Sequence, residues 1–290
     1  MLDRGERLNW FDSTLITTLA FAAALGFYLF VVHTATARRP FIDPRLFQDR
    51  NFTLGMCFIF VVGILLLATI ALLSPFLQTM LGYPVLTAGL ITSPRGLGTM
   101  ISMLLVGRLI TRVDPRLMLS FGFGCAAVSL WEMSGFTPQV SQAAIIRTGM
   151  IQGFGLGFMF VPLTTMTFST LAPELRNQAT AMYALMRNVG ASIGIAVVIF
   201  LLVRDTQVIN ATLVQHVTPF NPALRLPGVA ELWSLDTVAG RMALAEMVFR
   251  EARAIAYMND FRLLALLAFA AMPMTALLRR PGPRRPVGAT

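Results

Sequence analysis

Seven apolar stretches, each about as long as a bilayer is thick, constrain this chain more than any other feature. A helix needs about 20 mostly apolar residues to cross the hydrocarbon core. The stretches are 13–36, 52–77, 86–110, 116–135, 143–169, 178–203 and 261–279. Because a segment in lipid must satisfy its own backbone hydrogen bonds, each is predicted to be an α-helix. The predicted fold class is therefore an all-α membrane protein.

The composition agrees with lipid as part of the solvent. Hydrophobic residues make up 56% of the chain and charged residues 13%, whereas an ordinary soluble domain carries about 25% charged residues. The net charge is +9, and all 23 basic residues are arginines. These arginines cluster between apolar stretches and form no basic stripe with interleaved aromatics, so we exclude nucleic-acid binding.

The distribution of arginine predicts the orientation in the membrane. Arginine clusters occur at 38–50, 108–116 and 279–285. The short loops near 78–85 and 136–142 contain no arginine. By the positive-inside rule, the arginine-rich loops and the C-terminus are cytoplasmic, and the N-terminus and a long 204–260 loop lie outside. Within that loop, 239–257 is predicted to form a helix that runs into the last span.

The predicted outside N-terminus bears on what precedes the first span. The segment Met1–Arg7 does not resemble a signal peptide, because it carries acids and no cleavage site. An outside start without a leader suggests that earlier spans precede this chain. The alternative is a protein whose N-terminus is natively outside.

Short motifs follow one another in the order found in a known family. They are Leu2–Gly5 with Trp10–Phe11, Phe41–Phe47, Arg50–Phe52, Gly82–Gly98, Gln152–Gly157, Pro162–Thr165, Arg187–Gly194 and Asn259–Phe261. In order and loop length they resemble the fourteen-span drug:proton antiporters of the EmrB/QacA type, a branch of the major facilitator superfamily. Each motif is weak alone, and the resemblance rests on their collinear order over nearly the whole chain.

The resemblance implies both a fold and a function. It implies a major facilitator C-terminal six-helix bundle at 51–290, preceded by an accessory transmembrane helix at 1–50. The implied function is efflux of hydrophobic or cationic drugs, as the C-terminal part of a proton-coupled multidrug transporter in a bacterial inner (plasma) membrane. The implied partners are the lipid bilayer, a missing N-terminal bundle, a periplasmic adaptor protein and an outer-membrane channel.

Two arginines lie inside predicted spans, where charged side chains are costly and often functional. Arg95 and Arg187 are predicted to line the transport path or to pair with an acid as a gate. The alternatives are that Arg95 binds carbonyl groups beside the Pro94 break and that Arg187 extends towards the cytoplasm. Both interpretations remain open at this point.

Three further residues of the fifth stretch are candidates for the transport path. Gln152 and Thr164 are neutral polar groups in an apolar helix, so either interhelical hydrogen bonding or substrate contact suits them. Pro162 predicts a kink or a close helix contact in the same stretch.

A compact turn between the third and fourth stretches carries Gly107, Arg108, Asp114 and Arg116. It resembles the weaker repeat of the family's signature loop, whose implied role is conformational switching between bundles. The alternative is a solvated cytoplasmic loop that the positive-inside rule already explains.

The acidic residues limit what the chain can do alone. None of its 14 acids is expected near the middle of the membrane, although proton coupling needs a membrane carboxylate. Glu132, at the edge of a stretch, is expected to pair with Arg147 or to face water. No His/Asp or Ser/His cluster suggests an enzyme, a metal site or a cofactor. A non-transporting fragment or an accessory membrane subunit remains the alternative function.

Overall fold

A computed structural model describes residues 13–36, 43–218 and 237–278. Its α-helices are α1 Thr14–Thr36, α2 Arg50–Pro75, α3 Val85–Thr92, α4 Pro94–Leu109, α5 Pro115–Met133, α6 Gln142–Phe168, α7 Arg176–Val214 and α8 Val238–Met274. Within these ranges the chain contains no strand. The predicted motif before the first span and the arginines at 38–39 and 279–285 lie outside the described residues.

Several helices begin where a polar side chain caps the backbone. Asp49 accepts a hydrogen bond from the N–H of Phe52 at 2.8 Å at the start of α2. Asp114 accepts one from the N–H of Arg116 at 3.0 Å at the start of α5. Such caps satisfy backbone donors that have no partner inside the helix.

Six described segments are long and apolar enough to cross a membrane. They are Thr14–Thr34, Arg50–Met80, Val85–Leu109, Gln142–Phe168, Pro173–Val214 and Val238–Leu277. The seventh predicted span coincides with α5, which is helical but does not belong to this set. It is shorter, and Arg116 and Glu132 near its ends lower its hydropathy. The chain is thus an all-helical, multi-pass membrane protein.

The predicted outer loop 204–260 is largely helical at both ends. Helix α7 continues to Val214, and α8 runs without a break from Val238 to Met274, which confirms the helix predicted at 239–257. With 39 residues, α7 is about 58 Å long at ~1.5 Å per residue. That length exceeds the ~30 Å hydrocarbon core, so the helix extends well beyond the bilayer.

Glycines allow the helices to pack backbone against backbone. In α2 a Cβ atom at Gly63 would meet the carbonyl oxygen of Arg187 in α7. In α6 a Cβ atom at Gly153 would meet the carbonyl oxygen of Arg95 in α4. Small residues at such contacts are typical of membrane helices, which gain little from hydrophobic burial against one another. Helix α5 packs in turn on α6 and α8, and α8 also packs on α7.

Candidate functional site

A cavity of about 240 Å³ lies between α2, the α3–α4 junction and α6. Its lining residues are Ile70, Leu73, Ser74, Thr92, Arg95, Ile145, Gly149 and Gln152. Mostly apolar walls with a few polar groups are typical of small-molecule sites. Two of the residues that the sequence singles out, Arg95 and Gln152, therefore meet in one cavity.

Arg95 owes its position to the break between α3 and α4. Pro94 opens α4, where its missing N–H costs nothing, and Arg95 follows in the first turn. A Cβ atom added at Gly149 would lie 3.9 Å from the Cβ atom of Arg95, and one added at Gly153 would meet the Arg95 carbonyl oxygen, so the glycines of α6 leave room for this turn. The guanidinium atom Nη2 is buried and has no hydrogen-bond partner among the described residues. This nitrogen therefore does not bind carbonyl groups beside Pro94.

Gln152 is 1% exposed and links two helices. Its Nε2 donates a hydrogen bond to Oγ1 of Thr69 in α2 at 3.1 Å, which confirms the predicted interhelical hydrogen bond. Thr69 in turn donates its hydroxyl hydrogen to the carbonyl oxygen of Leu65 at 2.6 Å. The other amide atom of Gln152, Oε1, is buried without a partner in the described part of the chain.

The other predicted path residues lie elsewhere. Arg187 is exposed on α7 and does not line this cavity. Thr164 donates its hydroxyl hydrogen within its own helix, to the carbonyl oxygens of Phe160 and Val161, each at 2.9 Å. Pro162 is buried inside α6. Of the predicted path residues, Arg95 and Gln152 line the cavity, whereas Arg187, Thr164 and Pro162 do not.

The predicted switching loop forms the turn between α4 and α5. Gly107 and Arg108 are exposed near the end of α4, and Asp114 caps α5. The Nε atom of Arg116 is buried without a hydrogen-bond partner among the described residues. The loop's role in conformational change remains a prediction.

The expected pair between α5 and α6 is present. Nη2 of Arg147 lies 3.1 Å from Oε2 of Glu132, with the two side chains 66% and 34% exposed. An exposed pair of this kind is structural and contributes little to stability.

Asp260 is the residue that the sequence interpretation missed. It was assigned to the end of the outer loop, but it lies inside α8, within the span Val238–Leu277, and is 1% exposed. The burial of this residue between helices was not predicted from the sequence. The signal was the helical pattern at 239–257, which continues through it.

Asp260 lies on α8 beside two aromatic residues that pack against Phe76. Its Oδ2 has no hydrogen-bond partner in the described ranges, and Asp205 of α7 is close enough to repel it electrostatically. The ring of Phe76 packs against Tyr257 and Phe261, one turn or less from Asp260, with centroids 5.4 Å and 6.5 Å away. A buried carboxyl group therefore lies on α8 near a second acid on α7.

The described helices thus pack closely at glycines around a partly polar cavity, as in a helical membrane protein with an internal site. The chain belongs to the Major Facilitator Superfamily, whose sequence pattern matches residues 8–195. It is 34% identical over 223 residues to the multidrug export protein EmrB of Escherichia coli K12, a match that covers 77% of this chain and 44% of EmrB.

Two other relatives are also resistance proteins by name. The fatty acid resistance protein FarB of Neisseria gonorrhoeae is 31% identical, over 77% of this chain and 44% of FarB. The lincomycin resistance protein LmrB of Listeria monocytogenes is 30% identical, over 66% of this chain and 40% of LmrB. The chain thus spans less than half the length of these relatives.

Proposed function

We propose that this chain forms part of a carrier that exports hydrophobic compounds across a bacterial inner membrane by alternating access. The observation that carries the proposal is the cavity between α2, α4 and α6. There, Arg95 and Gln152 each hold a buried polar atom with no hydrogen-bond partner among the described residues. Ionisable and polar groups inside a membrane protein mark substrate or ion pathways. The similarity to export and resistance proteins supports the same function.

Alternating access needs two bundles that move about a shared site. The relatives are more than twice as long as the region they share with this chain, which supports a second bundle as its partner. Leu86, Leu90 and Leu97 are exposed apolar residues on α3 and α4, the helices that contribute Thr92 and Arg95 to the cavity. We propose that the second bundle covers this face. The adaptor protein and the outer-membrane channel remain predictions from the resemblance.

The charge in the cavity bears on the predicted substrates. Arg95 is a cation, and its Nη2 has no hydrogen-bond partner in the described part of the chain. This cavity therefore favours a neutral or anionic group over a cationic one. Cationic drugs, which the resemblance includes, would need acidic residues elsewhere in the transport path.

We propose that proton coupling, where it occurs, uses Asp260. A carboxyl group buried between helices of a membrane protein can take up and release a proton, as coupled carriers require. The test is Asp260→Asn in the chain co-expressed with the N-terminal half of an EmrB-like protein. We expect drug export that no longer responds to an imposed proton gradient, whereas Asp205→Asn retains a response. Export that stays fully proton-dependent in Asp260→Asn would remove this residue from the mechanism.

The orientation is tested by labelling cysteines in a variant whose Cys57 and Cys125 are replaced by serine. With the C-terminus cytoplasmic, a cysteine at Thr137 reacts with an impermeant thiol reagent from outside, and one at Asp114 does not. The reverse pattern, or labelling of both, would contradict the proposed topology.

Drug accumulation in efflux-deficient cells tests the function itself. Cells that express the chain together with the N-terminal half of an EmrB-like protein should accumulate less of a fluorescent hydrophobic drug, and Arg95→Gln should reverse this. The chain alone should not lower accumulation. Resistance from the chain alone, abolished by a protonophore, would contradict the need for a second bundle. If drug accumulation is unchanged both with the chain alone and with the co-expressed N-terminal half, the result would favour the alternative role as an accessory membrane subunit.

A further inference from the structure

The cavity between α2, α4 and α6 combines three features that specify a ligand chemistry. Arg95 contributes a positive charge whose Nη2 lacks a partner among the described residues. Gln152 contributes an acceptor, Oε1, that also lacks one. Ile70, Leu73 and Ile145 form an aliphatic wall. The complementary ligand has an anionic group, a hydrogen-bond donor and an apolar part.

The guanidinium group selects the kind of anion. Leaving a buried donor unpaired is costly, and hydrogen bonds to charged groups are stronger than those between neutral groups. The planar guanidinium fork matches the two oxygens of a carboxylate. Arg95 is the arginine that lines the cavity, and one guanidinium group balances one negative charge. A carboxylate monoanion therefore fits better than a phosphate dianion.

The amide group of Gln152 adds a second requirement. Because its Nε2 already binds Thr69, the atom left for a ligand is the acceptor Oε1. A carboxylate has no hydrogen to donate to it. The ligand therefore needs a hydroxyl or amide N–H group near its carboxylate.

We propose that this cavity binds the head of an amphipathic carboxylate that carries a neighbouring hydroxyl or amide N–H group. The carboxylate binds Arg95, the donor binds Oε1 of Gln152, and the apolar chain packs on Ile70, Leu73 and Ile145. This assignment rests on the proposed export function and names its substrate class. With about 240 Å³, the cavity is smaller than the ~300–1,000 Å³ of sites that enclose a whole drug-sized ligand, so the rest of the apolar chain extends out of it.

Three matched compounds separate these contributions. N-Decanoylglycine has both the carboxylate and the N–H group, N-decanoylsarcosine lacks the N–H group, and N-decanoylglycinamide lacks the charge. Equilibrium binding of each is measured with the full chain in phosphatidylcholine nanodiscs. We expect N-decanoylglycine to bind at least about tenfold more tightly than the glycinamide and about threefold more tightly than the sarcosine.

Substitutions test which residue causes the preference for the carboxylate and which causes the preference for the N–H group. Arg95→Gln should abolish the preference for acid over amide, and Arg95→Lys should retain part of it. Gln152→Met should abolish the preference for glycine over sarcosine but keep the charge preference. Arg147→Gln and Thr164→Val, both on α6 and outside the cavity, should change neither. Binding of the neutral glycinamide reports in each case that the cavity is intact.

The outcomes separate this assignment from the proposed function. Binding of the neutral amide with no preference for the acid would overturn the assignment and leave the export role standing. A preference that survives Arg95→Gln would also overturn the assignment. Binding of none of the three compounds would count against both proposals.

The nanodisc composition distinguishes a substrate from an anionic lipid headgroup. The affinity for N-decanoylglycine should be unchanged when the nanodiscs contain phosphatidylglycerol. If phosphatidylglycerol weakens the binding of N-decanoylglycine to the wild type but not to Arg95→Gln, the cavity binds a lipid headgroup. That result would overturn the substrate assignment.

Discussion

Helices α1 and α2 are both strongly apolar, yet their surroundings are opposite. The most apolar stretches of the two spans have mean hydropathies of 2.3 and 3.0, but 6% of the first and 56% of the second are buried. Gly55 and Gly63 of α2 lie directly against Thr167 and the backbone of Arg187. Around Gly26 of α1, nothing lies within 4 Å of the Cβ position. Hydropathy therefore places a helix in the membrane, and steric fit decides which helices pack together.

The largest expected effect comes from filling one of these contacts. Gly63→Val places atoms where the carbonyl oxygen of Arg187 lies, so α2 and α7 must separate. We expect the free energy of unfolding to fall by about 3 kcal/mol, at the upper end for overpacked sites because the neighbour is backbone. Unfolding of the purified protein in mixed micelles, followed by circular dichroism, measures it.

The matched control is Gly26→Val in α1, which should change the free energy of unfolding by less than about 0.5 kcal/mol. Equal losses for Gly26→Val and Gly63→Val would show that α1 packs as tightly as α2 and would remove the contrast between them.

A smaller effect is expected from the polar link within the packed region. Gln152→Met removes the hydrogen bond to Thr69 and keeps the volume similar. Interhelical hydrogen bonds in membranes contribute about 0.6 kcal/mol on average, and we expect a loss of that size in the same unfolding assay. Thr164→Val is the control, since the Thr164 hydroxyl bonds within its own helix. A loss above ~3 kcal/mol for Gln152→Met would mean that Gln152 supports the whole bundle.

The sequence predicts the helices well because apolar length alone dictates a spanning helix. It does not predict that α7 continues beyond residue 203 to Val214, because this end of the helix carries polar and charged residues and hydropathy does not separate an exposed helix from a loop. The burial of Asp260 was not predicted because it comes from the packing of α8 against other helices.

The site could be predicted only in part. Arg95 and Gln152 stood out individually, because polar groups in apolar helices are rare. Their meeting in one cavity depends on the close approach of α4 and α6 at Gly149 and Gly153. In the sequence, the glycines predict a close helix–helix contact but do not indicate which helix is the partner. Arg187, equally conspicuous in the sequence, lies exposed on α7.

The smallest expected effect lies at the edge of the packed region. Glu132 and Arg147 form an exposed pair between α5 and α6. A double-mutant cycle with Glu132→Gln and Arg147→Gln should give a coupling energy of about 0.2–1 kcal/mol that decreases with added salt. A coupling above ~2 kcal/mol would place this pair among the determinants of the bundle.

Competed photolabelling tests most directly the claim that substrate binds in the packed bundle and not along the exposed helix. A photoreactive analogue of N-decanoylglycine is activated on the full chain in nanodiscs, with and without excess unlabelled compound, and the labelled peptides are sequenced. Labelling that is lost on competition should map to α2 and α6, near Ile70 and Ile145 of the cavity wall, and Arg95→Gln should reduce it. Labelling of α1 should persist under competition, as expected for partition into lipid. Competed labelling confined to α1, or none at Ile70 and Ile145, would contradict the assignment of the cavity as the binding site.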